Sequence, residues 1–485
     1  MSFNSLAYLI FLPLTILLYY LSPVKYRNYL LLALSYFFYM RWQAAYALLI
    51  FISTVLTYAC GRLIGSRPRH KKLWVALSLG VNLGILFFFK YFNFAAGLAA
   101  EVAGWWGATA NAPVLDVLLP VGISFYTFQA LGYTIDVYRG QMEPEKDFAI
   151  YGLFVSFFPQ LVAGPIERSG NLLPQFREEH SFDWANINRG MLPLLWGFFK
   201  KVVIADQLAV VVNTVYSAPD SYLPLQLAAA TVAFAFQIYC DFSAYSDIAR
   251  GSAAMLGFRL MRNFNAPYFS TSIQDFWRRW HISLTTWFRD YLYFPLGGSR
   301  CSAPRHYLNV LIVFLLSGLW HGASLTFIVW GLLNGVYQLI SFITASWRKK
   351  LLNSLRIKEG WLLTWVRCGV TFILVCLAWV FFRADSIADA CHIIGAILGL
   401  LPSGAGGEFS LIALGLKAAD LKMLAVAMAT LLAVDFAQLR WGLDERVNGN
   451  IWLKYLAWFL LLAFILIFGS YGAGYDPQDF VYFQF

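Results

Sequence analysis

The sequence has few charged residues, since Lys, Arg, Asp and Glu make up only 13% of its 485 residues. Soluble domains usually contain roughly 25%. Hydrophobic residues make up 60% and aromatic residues 18%, and the mean hydropathy is +0.61. This balance excludes a soluble protein and indicates an all-α polytopic membrane protein. The net charge of +10 is then explained by basic cytoplasmic loops and membrane lipids, and it does not indicate a nucleic-acid partner.

The chain also lacks the motifs of several common chemistries. Its six cysteines are scattered without CxxC spacing, so neither a disulfide framework nor a zinc site is predicted. GxSxG, GxxxxGK[ST] and HExxH motifs are absent. There is no internal repeat with a period of roughly 20 to 50 residues, and no matched pair of broken segments, which argues against an inverted-repeat transporter. We expect no bound cofactor and no metal.

Apolar segments recur from residue 6 to residue 470 without a long polar linker. We therefore predict one integral-membrane domain over residues 1–485, with its core at about 115–345. About eleven transmembrane helices are expected, together with re-entrant or interfacial helices. The first apolar stretch, residues 6–21, has no basic segment before it and no small-residue cleavage site after it. It is expected to remain as the first span.

Basic residues predict the orientation, because short cytoplasmic loops collect Lys and Arg. Lys25 and Arg27 follow the first apolar segment, and two further basic clusters lie within residues 62–72 and 348–358. In contrast, residues 93–115 carry only one charge, Glu101, as expected of an outer loop. The N-terminus is therefore predicted to be extracytoplasmic.

Residues 306–347 contain no Lys, Arg, Asp or Glu. As one helix they would reach roughly 60 Å, about twice the thickness of the hydrocarbon core, so the run must break. Gly318 and Gly322 bracket His321 and are positions where a membrane helix can unwind. His321 is thus expected at membrane depth, where an ionisable residue indicates a functional site. The alternative is a histidine that hydrogen-bonds a neighbouring helix.

Residues 272–300 are too charged to cross lipid as a free helix, yet their spacing is helical. One predicted face carries Gln274, Arg278, His281, Thr285 and Arg289, and the opposite face carries Phe276, Trp280, Trp287 and Tyr291. Such a helix lies at an interface or lines a wet cavity. The alternative is an interfacial anchor whose arginines contact lipid phosphates.

Polar residues also interrupt the apolar segment at residues 237–247. They include Gln237, Asp241, Ser243 and Asp247. Polar residues at this density line a cavity or pair with other buried groups. The two aspartates can orient a histidine or pair with Arg278 or Arg279, and structural ion pairs are equally compatible. A similar break at residues 120–140 leaves the same choice between cavity lining and packing.

His281 and His321 suit acid–base chemistry. Neither is followed by His, Cys or a carboxylate at i+3 or i+4, so metal ligation is not indicated. A neutral imidazole, with an ordinary pKa near 6.5, is a suitable base around neutral pH. A base that deprotonates a hydroxyl for attack on a thioester fits such a site, and exclusion of water would protect the activated acyl group.

Six strings are informative when taken together: PVGISFYTFQALGYTIDVYRG, FFPQLVAGPIERSGNLLPQF, QIYCDFSAYSDIARG, NFNAPYFSTSIQDFWRRWHISLTTWFRDYLYFPLGG, SGLWHGAS and DFVYFQF. Together these strings resemble the membrane-bound O-acyltransferase family, and within it the bacterial alginate O-acetyltransferase membrane subunits. The resemblance implies that His321 is the catalytic histidine and that His281 is the second functional position, which is asparagine or histidine in the family. Candidate channel residues are Trp320, Trp277, Arg278, Arg279, Trp280, Arg289, Gln237, Asp241, Ser243 and Asp247.

The resemblance also implies a ring of tilted helices around a thinned core, with a funnel from each face. It implies a bacterial inner-membrane enzyme that moves an acetyl group from cytoplasmic acetyl-coenzyme A, or from a carrier-protein thioester, to an exported or cell-envelope polysaccharide of the alginate type. An extracytoplasmic SGNH-type acetyltransferase is the expected partner, besides membrane lipids. D-alanyl or peptidoglycan O-acyl transfer is the enzymatic alternative. A passive acyl or ion conduit is the alternative outside enzymes.

Overall fold

The computed structural model describes residues 1–107, 113–116, 118–401, 410, 412–471 and 480–481. Within these ranges the chain is helical and contains no β-strand, which confirms the predicted all-α class. Six helical segments in the described ranges are long and apolar enough to span a bilayer: Ala44–Ser66, Pro68–Trp105, Pro224–Met255, Leu325–Ile343, Trp361–Arg383 and Ile451–Phe468. Leu6–Leu21 and Ile387–Ile397 are shorter apolar helices. The predicted number of about eleven spans stays a prediction.

The α-helices of the described residues are numbered in chain order. They are α1 (Leu6–Leu21), α2 (Arg27–Met40), α3 (Ala47–Ser66), α4 (Lys71–Leu86), α5 (Phe92–Trp105), α6 (Ile123–Tyr138), α7 (Phe148–Ser156), α8 (Phe158–Leu161), α9 (Ser169–Gln175), α10 (Trp184–Phe198), α11 (Asp206–Tyr216), α12 (Pro224–Met255), α13 (Ile273–Arg279), α14 (Ile282–Phe288), α15 (Ala303–His321), α16 (Leu325–Ile343), α17 (Ala345–Ser354), α18 (Trp361–Arg383), α19 (Ile387–Ile397), α20 (Ala418–Trp441), α21 (Leu443–Gly449) and α22 (Ile451–Phe468). Three π-helical segments are Phe87–Tyr91, Phe199–Ala205 and Arg289–Tyr293.

The described chain forms two compact units, Met1–Leu194 with Ser246–Met261, and Leu195–Tyr245 with Arg262–Phe485. Whether they act as one domain, as predicted for residues 1–485, stays a prediction. In the first unit α3, α4 and α6 pack together. Polar side chains join its helices, since the Gln129 amide donates to the carbonyl of Phe154, 2.5 Å away. Ser53 donates to Asn82 at 2.6 Å. The polar residue Gln129 of segment 120–140 therefore contributes to packing.

In the second unit the uncharged run 306–347 breaks as predicted. Helix α15 ends at His321 and α16 begins at Leu325, after Gly322 in extended conformation. The Ser324 hydroxyl caps the new helix by accepting the Thr326 N–H at 3.3 Å. The two helices then cross closely, because a Cβ atom on Gly318 would lie 2.3 Å from the Phe327 carbonyl oxygen. The turn and the close crossing together fix His321 at the end of α15.

The predicted continuous helix over residues 272–300 is wrong. Helix α13 ends at Arg279, His281 adopts a left-handed backbone conformation, and α14 starts at Ile282. The preceding segment causes this break by supplying the hydrogen bonds that a continuous helix would make internally. The Ile282 N–H donates to the Asn263 carbonyl at 2.9 Å, and the Asn265 N–H donates to the Arg279 carbonyl at 3.0 Å. The single polar face predicted for Gln274, Arg278, His281, Thr285 and Arg289 is therefore not formed.

Candidate active site

His321 lies in a cage of aromatic rings in the second unit. Its side chain is buried at the C-terminal end of α15. Edge-to-face contacts surround the imidazole, with ring centroids 4.9 Å from Trp320, 5.0 Å from Trp330 and 5.3 Å from Phe382. Three helices, α15, α16 and α18, supply these rings. Packing on several sides fixes the orientation of the imidazole, as a reacting group requires.

His281 is the second buried imidazole, with 1% of its surface exposed. Its backbone has φ of 42° and ψ of 56°, a left-handed conformation that is uncommon for residues other than glycine. Asn263 supports this conformation, because its side-chain oxygen accepts both the backbone N–H and the hydroxyl of Ser283 at 3.1 and 3.0 Å. Backbone strain of this kind persists only where the surroundings enforce it, and it is concentrated at functional sites.

The structure brings the two predicted catalytic histidines together. Their ring centroids lie 6.4 Å apart, and Trp320 contacts both rings. This separation allows both imidazoles to contact a single reacting group. Burial lowers the pKa of His281 to about 3, so its imidazole is neutral at pH 7. A neutral ring can donate one hydrogen bond and accept another, without placing a charge in this apolar region.

The three predicted tryptophans form part of the wall of this site. Trp320 contacts both histidines directly. Trp277 packs against Trp330, with ring centroids 5.7 Å apart, and Trp280 packs against Trp379 at 5.0 Å. Since Trp330 touches His321 and also stacks on Trp379, Trp277 of α13 and Trp280, the residue after α13, reach the site through a second layer of rings. Trp280 belongs to the aromatic stripe predicted for residues 272–300, whereas Trp277 is predicted only as a candidate channel residue.

The predicted arginines are placed differently. Arg278 is exposed. Arg279 pairs with Asp275 on its own helix at 2.9 Å, and Arg289 pairs with Asp290 at 2.8 Å. The structure therefore buries the histidines and leaves these arginines at or near the surface of the unit. Contact between the arginines and a donor remains a prediction.

Of the four predicted site residues in segment 237–247, Gln237, Asp241 and Ser243 are buried in the second unit. Asp247 belongs to the first unit, where it pairs with Arg250 at 3.0 Å. Asp241 pairs with a lysine that the sequence analysis did not select. The distance from its carboxylate to the Nζ atom of Lys201 is 2.8 Å.

The missed residues are Lys200 and Lys201, both buried on the π-helical segment Phe199–Ala205. Lys201 also pairs with Asp206 at 2.9 Å, and Lys200 donates to the Ser243 hydroxyl at 2.7 Å. The two lysines thus hold the residues on either side of Phe242. The Phe242 ring lies 4.5 Å from the His281 ring. Phe242 therefore links this ionic cluster to the candidate site. The signal was available, since two lysines interrupt the apolar segment 190–213.

The C-terminal residues 480 and 481 contact the same part of α12. The Val481 N–H donates to the Asp241 carboxylate at 2.7 Å. The Phe480 ring lies 4.3 Å from the Tyr245 ring and 5.7 Å from the Phe242 ring. Other residues of the terminal string DFVYFQF lie outside the described residues. Within the described part of the chain, no group of three His, Cys, Asp or Glu residues could hold a metal ion.

Comparison with known proteins identifies relatives over most of the chain. The sequence model of the membrane-bound O-acyltransferase family matches residues 145–381, which include both histidines. A probable alginate O-acetylase from Pseudomonas aeruginosa is 41% identical over 401 residues, covering 80% of this chain and 73% of the relative. A peptidoglycan O-acetyltransferase from Helicobacter pylori is 35% identical, covering 80% of this chain and 78% of the relative. A teichoic acid D-alanyltransferase from Bacillus subtilis is 27% identical, covering 49% of this chain and 62% of the relative.

Proposed function

This chain belongs to the membrane-bound O-acyltransferase family, and we propose that it acetylates hydroxyl groups of an exported or cell-envelope polysaccharide of the alginate type, using a cytoplasmic thioester donor. Its O-acyltransferase class and its multi-pass membrane character follow from the family and from the apolar helices. The observation that carries the proposed mechanism is the pair of buried imidazoles, 6.4 Å apart inside an aromatic cage.

In the proposed reaction His321 is the general base. Its neutral imidazole accepts the proton of the acceptor hydroxyl while the hydroxyl oxygen attacks the thioester carbonyl carbon. The C–O bond forms, the C–S bond breaks, and the thiolate leaving group takes the proton from the imidazolium. His281 positions the hydroxyl or polarises the carbonyl by donating a hydrogen bond, which a neutral ring can do. The surrounding rings exclude water, which would otherwise hydrolyse the thioester.

Acetyl-coenzyme A is the proposed donor, bound as a substrate, because the relatives include O-acetylases of two polymers. A carrier-protein thioester is the alternative donor, in line with the more distant D-alanyltransferase relatives. The proposed location is a bacterial inner membrane with the N-terminus extracytoplasmic. An extracytoplasmic SGNH-type acetyltransferase is the proposed partner, to which the acetyl group passes on its way to the polymer or with which this chain cooperates.

Peptidoglycan is the second candidate acceptor. The peptidoglycan O-acetyltransferase of Helicobacter pylori matches nearly the same share of this chain as the probable alginate O-acetylases do. The two acceptors differ in their sugars and in whether the polymer is soluble after export. Measurement of ester-linked acetate in the exopolysaccharide and in purified cell walls of the same cells separates them.

The test uses cells that lack the chromosomal copy of the gene and carry a plasmid copy. We expect His321→Ala to reduce polymer O-acetylation by roughly 10²-fold or more, because a positioned base typically contributes 10²- to 10⁴-fold. His70→Ala is the matched control, since His70 is exposed in the first unit. Protein amount in the membrane and elution as a single species in detergent are compared for both variants.

Purified protein in liposomes supplied with labelled acetyl-coenzyme A separates the donors. Label transfer to an added acceptor that requires His321 supports the proposal. Wild-type levels of polymer acetylation by a correctly inserted His321→Ala variant would reject the mechanism. Transfer only from a charged carrier protein would reject acetyl-coenzyme A as donor.

A further inference from the structure

A groove with an aromatic floor runs between α18 and α20 in the second unit. It consists of two adjoining clefts of about 520 and 600 Å³, within the range of roughly 300 to 1,000 Å³ usual for ligand sites. Both clefts are lined by Phe269, Trp365, Cys368 and Phe436. Their shared walls make them one continuous surface feature.

The aromatic side chains of the groove floor pack against one another. Trp365 and Phe436 are stacked, with centroids 6.1 Å apart and an angle of 22° between the rings. Phe269 lies 5.9 Å from Trp365 and 6.1 Å from Phe436. The Cys368 thiol donates to the Phe269 carbonyl at 3.3 Å, which joins α18 to the segment before α13. These contacts fix the shape of the apolar floor.

The length of the groove matches one leaflet of a bilayer. Its lining residues on α18 run from Trp361 to Phe372, a rise of roughly 17 Å. The hydrocarbon core is about 30 Å thick, so one leaflet accounts for about 15 Å. An extended fatty-acyl chain that lies along α18 therefore fits between the headgroup level and the bilayer midplane.

One end of the groove is polar and cationic. Arg440 lines it in the last turn of α20, together with Trp361 at the first residue of α18. Trp361 and the neighbouring Trp441 have exposed fractions of 76% and 53%. Exposed tryptophan and arginine at helix ends are typical of the headgroup region. At the other end the lining residues are Phe372, Leu432 and Ala433, which are apolar.

We propose that this groove binds one acyl chain of an anionic phospholipid, whose phosphate lies at the guanidinium of Arg440. A guanidinium recognises a phosphate through paired hydrogen bonds, whereas a zwitterionic lipid presents an additional positive charge at the same depth. Tyr268 lines the groove and its ring lies 6.2 Å from that of Trp280, the residue before His281. The bound chain therefore packs against residues that support the candidate active site.

Photoactivatable phospholipids test the proposal. The full chain is placed in nanodiscs that contain either phosphatidylglycerol or phosphatidylcholine with a diazirine on one acyl chain, and labelled peptides are quantified by mass spectrometry. We expect phosphatidylglycerol to label peptides of α18 and α20 several-fold more than phosphatidylcholine does. Labelling of α22 is the internal reference for ordinary bilayer contact, because no residue of that helix is buried.

Two groove-filling variants test whether the labelling depends on the groove, and one charge variant tests whether the lipid preference depends on Arg440. A Cβ atom on Gly369, which lines the groove, meets no atom within 4 Å, so Gly369→Leu fills the groove without a clash at the backbone. Ala433→Leu fills it from the opposite wall. Both variants are expected to reduce labelling of α18 and α20 several-fold. Arg440→Gln is expected to abolish the preference for phosphatidylglycerol. Gly84→Leu, at an equally open helical position of the first unit, is the matched control.

Two results would overturn the proposal. The first is labelling of α18 and α20 that equals that of α22 and does not respond to Gly369→Leu or Ala433→Leu, since this would describe bulk lipid. The second is equal labelling by the two lipids in the wild-type protein. Loss of labelling on addition of a partner's transmembrane helix, with no lipid preference beforehand, would assign the groove to a protein partner instead.

Discussion

At the scale of single residues, His281 combines two features that can be separated by mutation. Its backbone is left-handed, which favours Gly and Asn over other residues. Its side chain contacts Phe242, Trp320 and His321. A loss of activity after replacement by alanine would mix a backbone effect with the loss of the ring. Glycine and asparagine avoid this ambiguity.

We expect His281→Gly to keep the left-handed backbone conformation and to lose acetyl transfer by roughly 10²-fold, the cost of one polarising group in other enzymes. His281→Asn is expected to retain part of the activity, because asparagine tolerates the backbone conformation and keeps a hydrogen-bond donor. Polymer acetylation and the thermal unfolding midpoint are the two measurements. Full activity of the glycine variant would show that His281 only shapes the backbone.

Glu167 is a second residue whose surroundings change its chemistry. It lies between α8 and α9 and is 2% exposed. The carboxylate accepts the Met261 N–H at 2.5 Å and the Asn171 amide at 2.7 Å. Burial nevertheless raises the pKa of Glu167 from 4.5 to about 7, because desolvation of the charge outweighs these hydrogen bonds.

This shift predicts a pH dependence of stability. The native state keeps the proton of Glu167 up to a pH of about 7, whereas the unfolded state releases it above 4.5. The contribution of Glu167 to the free energy of unfolding is therefore fully present below pH 4.5. About 3 kcal/mol of it is lost as the pH rises to 7 and above.

Glu167→Gln should raise the unfolding midpoint at pH 8 relative to the wild type and change it least near pH 4.5. Glu178→Gln, at an exposed position, is the control. A difference between wild type and Glu167→Gln that stays constant from pH 4.5 to 8 would contradict the shift.

At the scale of elements, two helix breaks show what could be predicted from sequence. The break after His321 was predictable, because an uncharged run of this length exceeds the thickness of the bilayer. The break at His281 was not, because helical spacing continues through it and its cause lies elsewhere. Asn263 and Asn265 supply the replacement hydrogen bonds, and nothing in residues 272–300 indicates that partner.

Lys200 and Lys201 illustrate the opposite case, in which a signal was present but was not used. Their position within an apolar segment indicated buried charge, yet sequence alone does not identify the counter-charges. Asp206 is five residues away, but Asp241 lies on another helix. The structure shows that Lys201 joins the π-helical segment Phe199–Ala205 to α12 beside Phe242. The pairing of the histidines, by contrast, was predicted from a family resemblance.

This cluster leads to a prediction about α12. Lys201→Met would leave Asp206 and Asp241 buried without their counter-charge, a change that typically costs about 3 to 5 kcal/mol. We expect a lower unfolding midpoint and reduced transfer, since Phe242 would no longer be held against His281. Adding Asp206→Asn and Asp241→Asn to that variant should restore the midpoint, because the unpaired charges are removed. Lys25→Met, at an exposed position, is the control. An unchanged midpoint in Lys201→Met would show that the cluster is not structural.

At the scale of the whole molecule, the function depends on which face of the membrane each loop reaches. Coenzyme A thioesters are cytoplasmic and exported polymers are not, so the proposed reaction requires the donor on one side and the acceptor on the other. The basic residues of 62–72 lie at the junction of α3 and α4, and those of 348–350 lie exposed on α17. Both are expected on the cytoplasmic side. Trp106, just after α5, is exposed and belongs to the predicted outer loop.

Single cysteines at positions 69, 106 and 358 test this orientation in spheroplasts, with the exposed Cys391 changed to serine to lower the background. A charged, membrane-impermeant maleimide should label Trp106→Cys in intact spheroplasts, because it reaches only the outer face. It should label Arg69→Cys and Lys358→Cys only after the membrane is permeabilised. The reverse pattern would place the basic loops outside, where acetyl-coenzyme A is absent. A cytoplasmic donor would then have to enter from the face opposite to these loops.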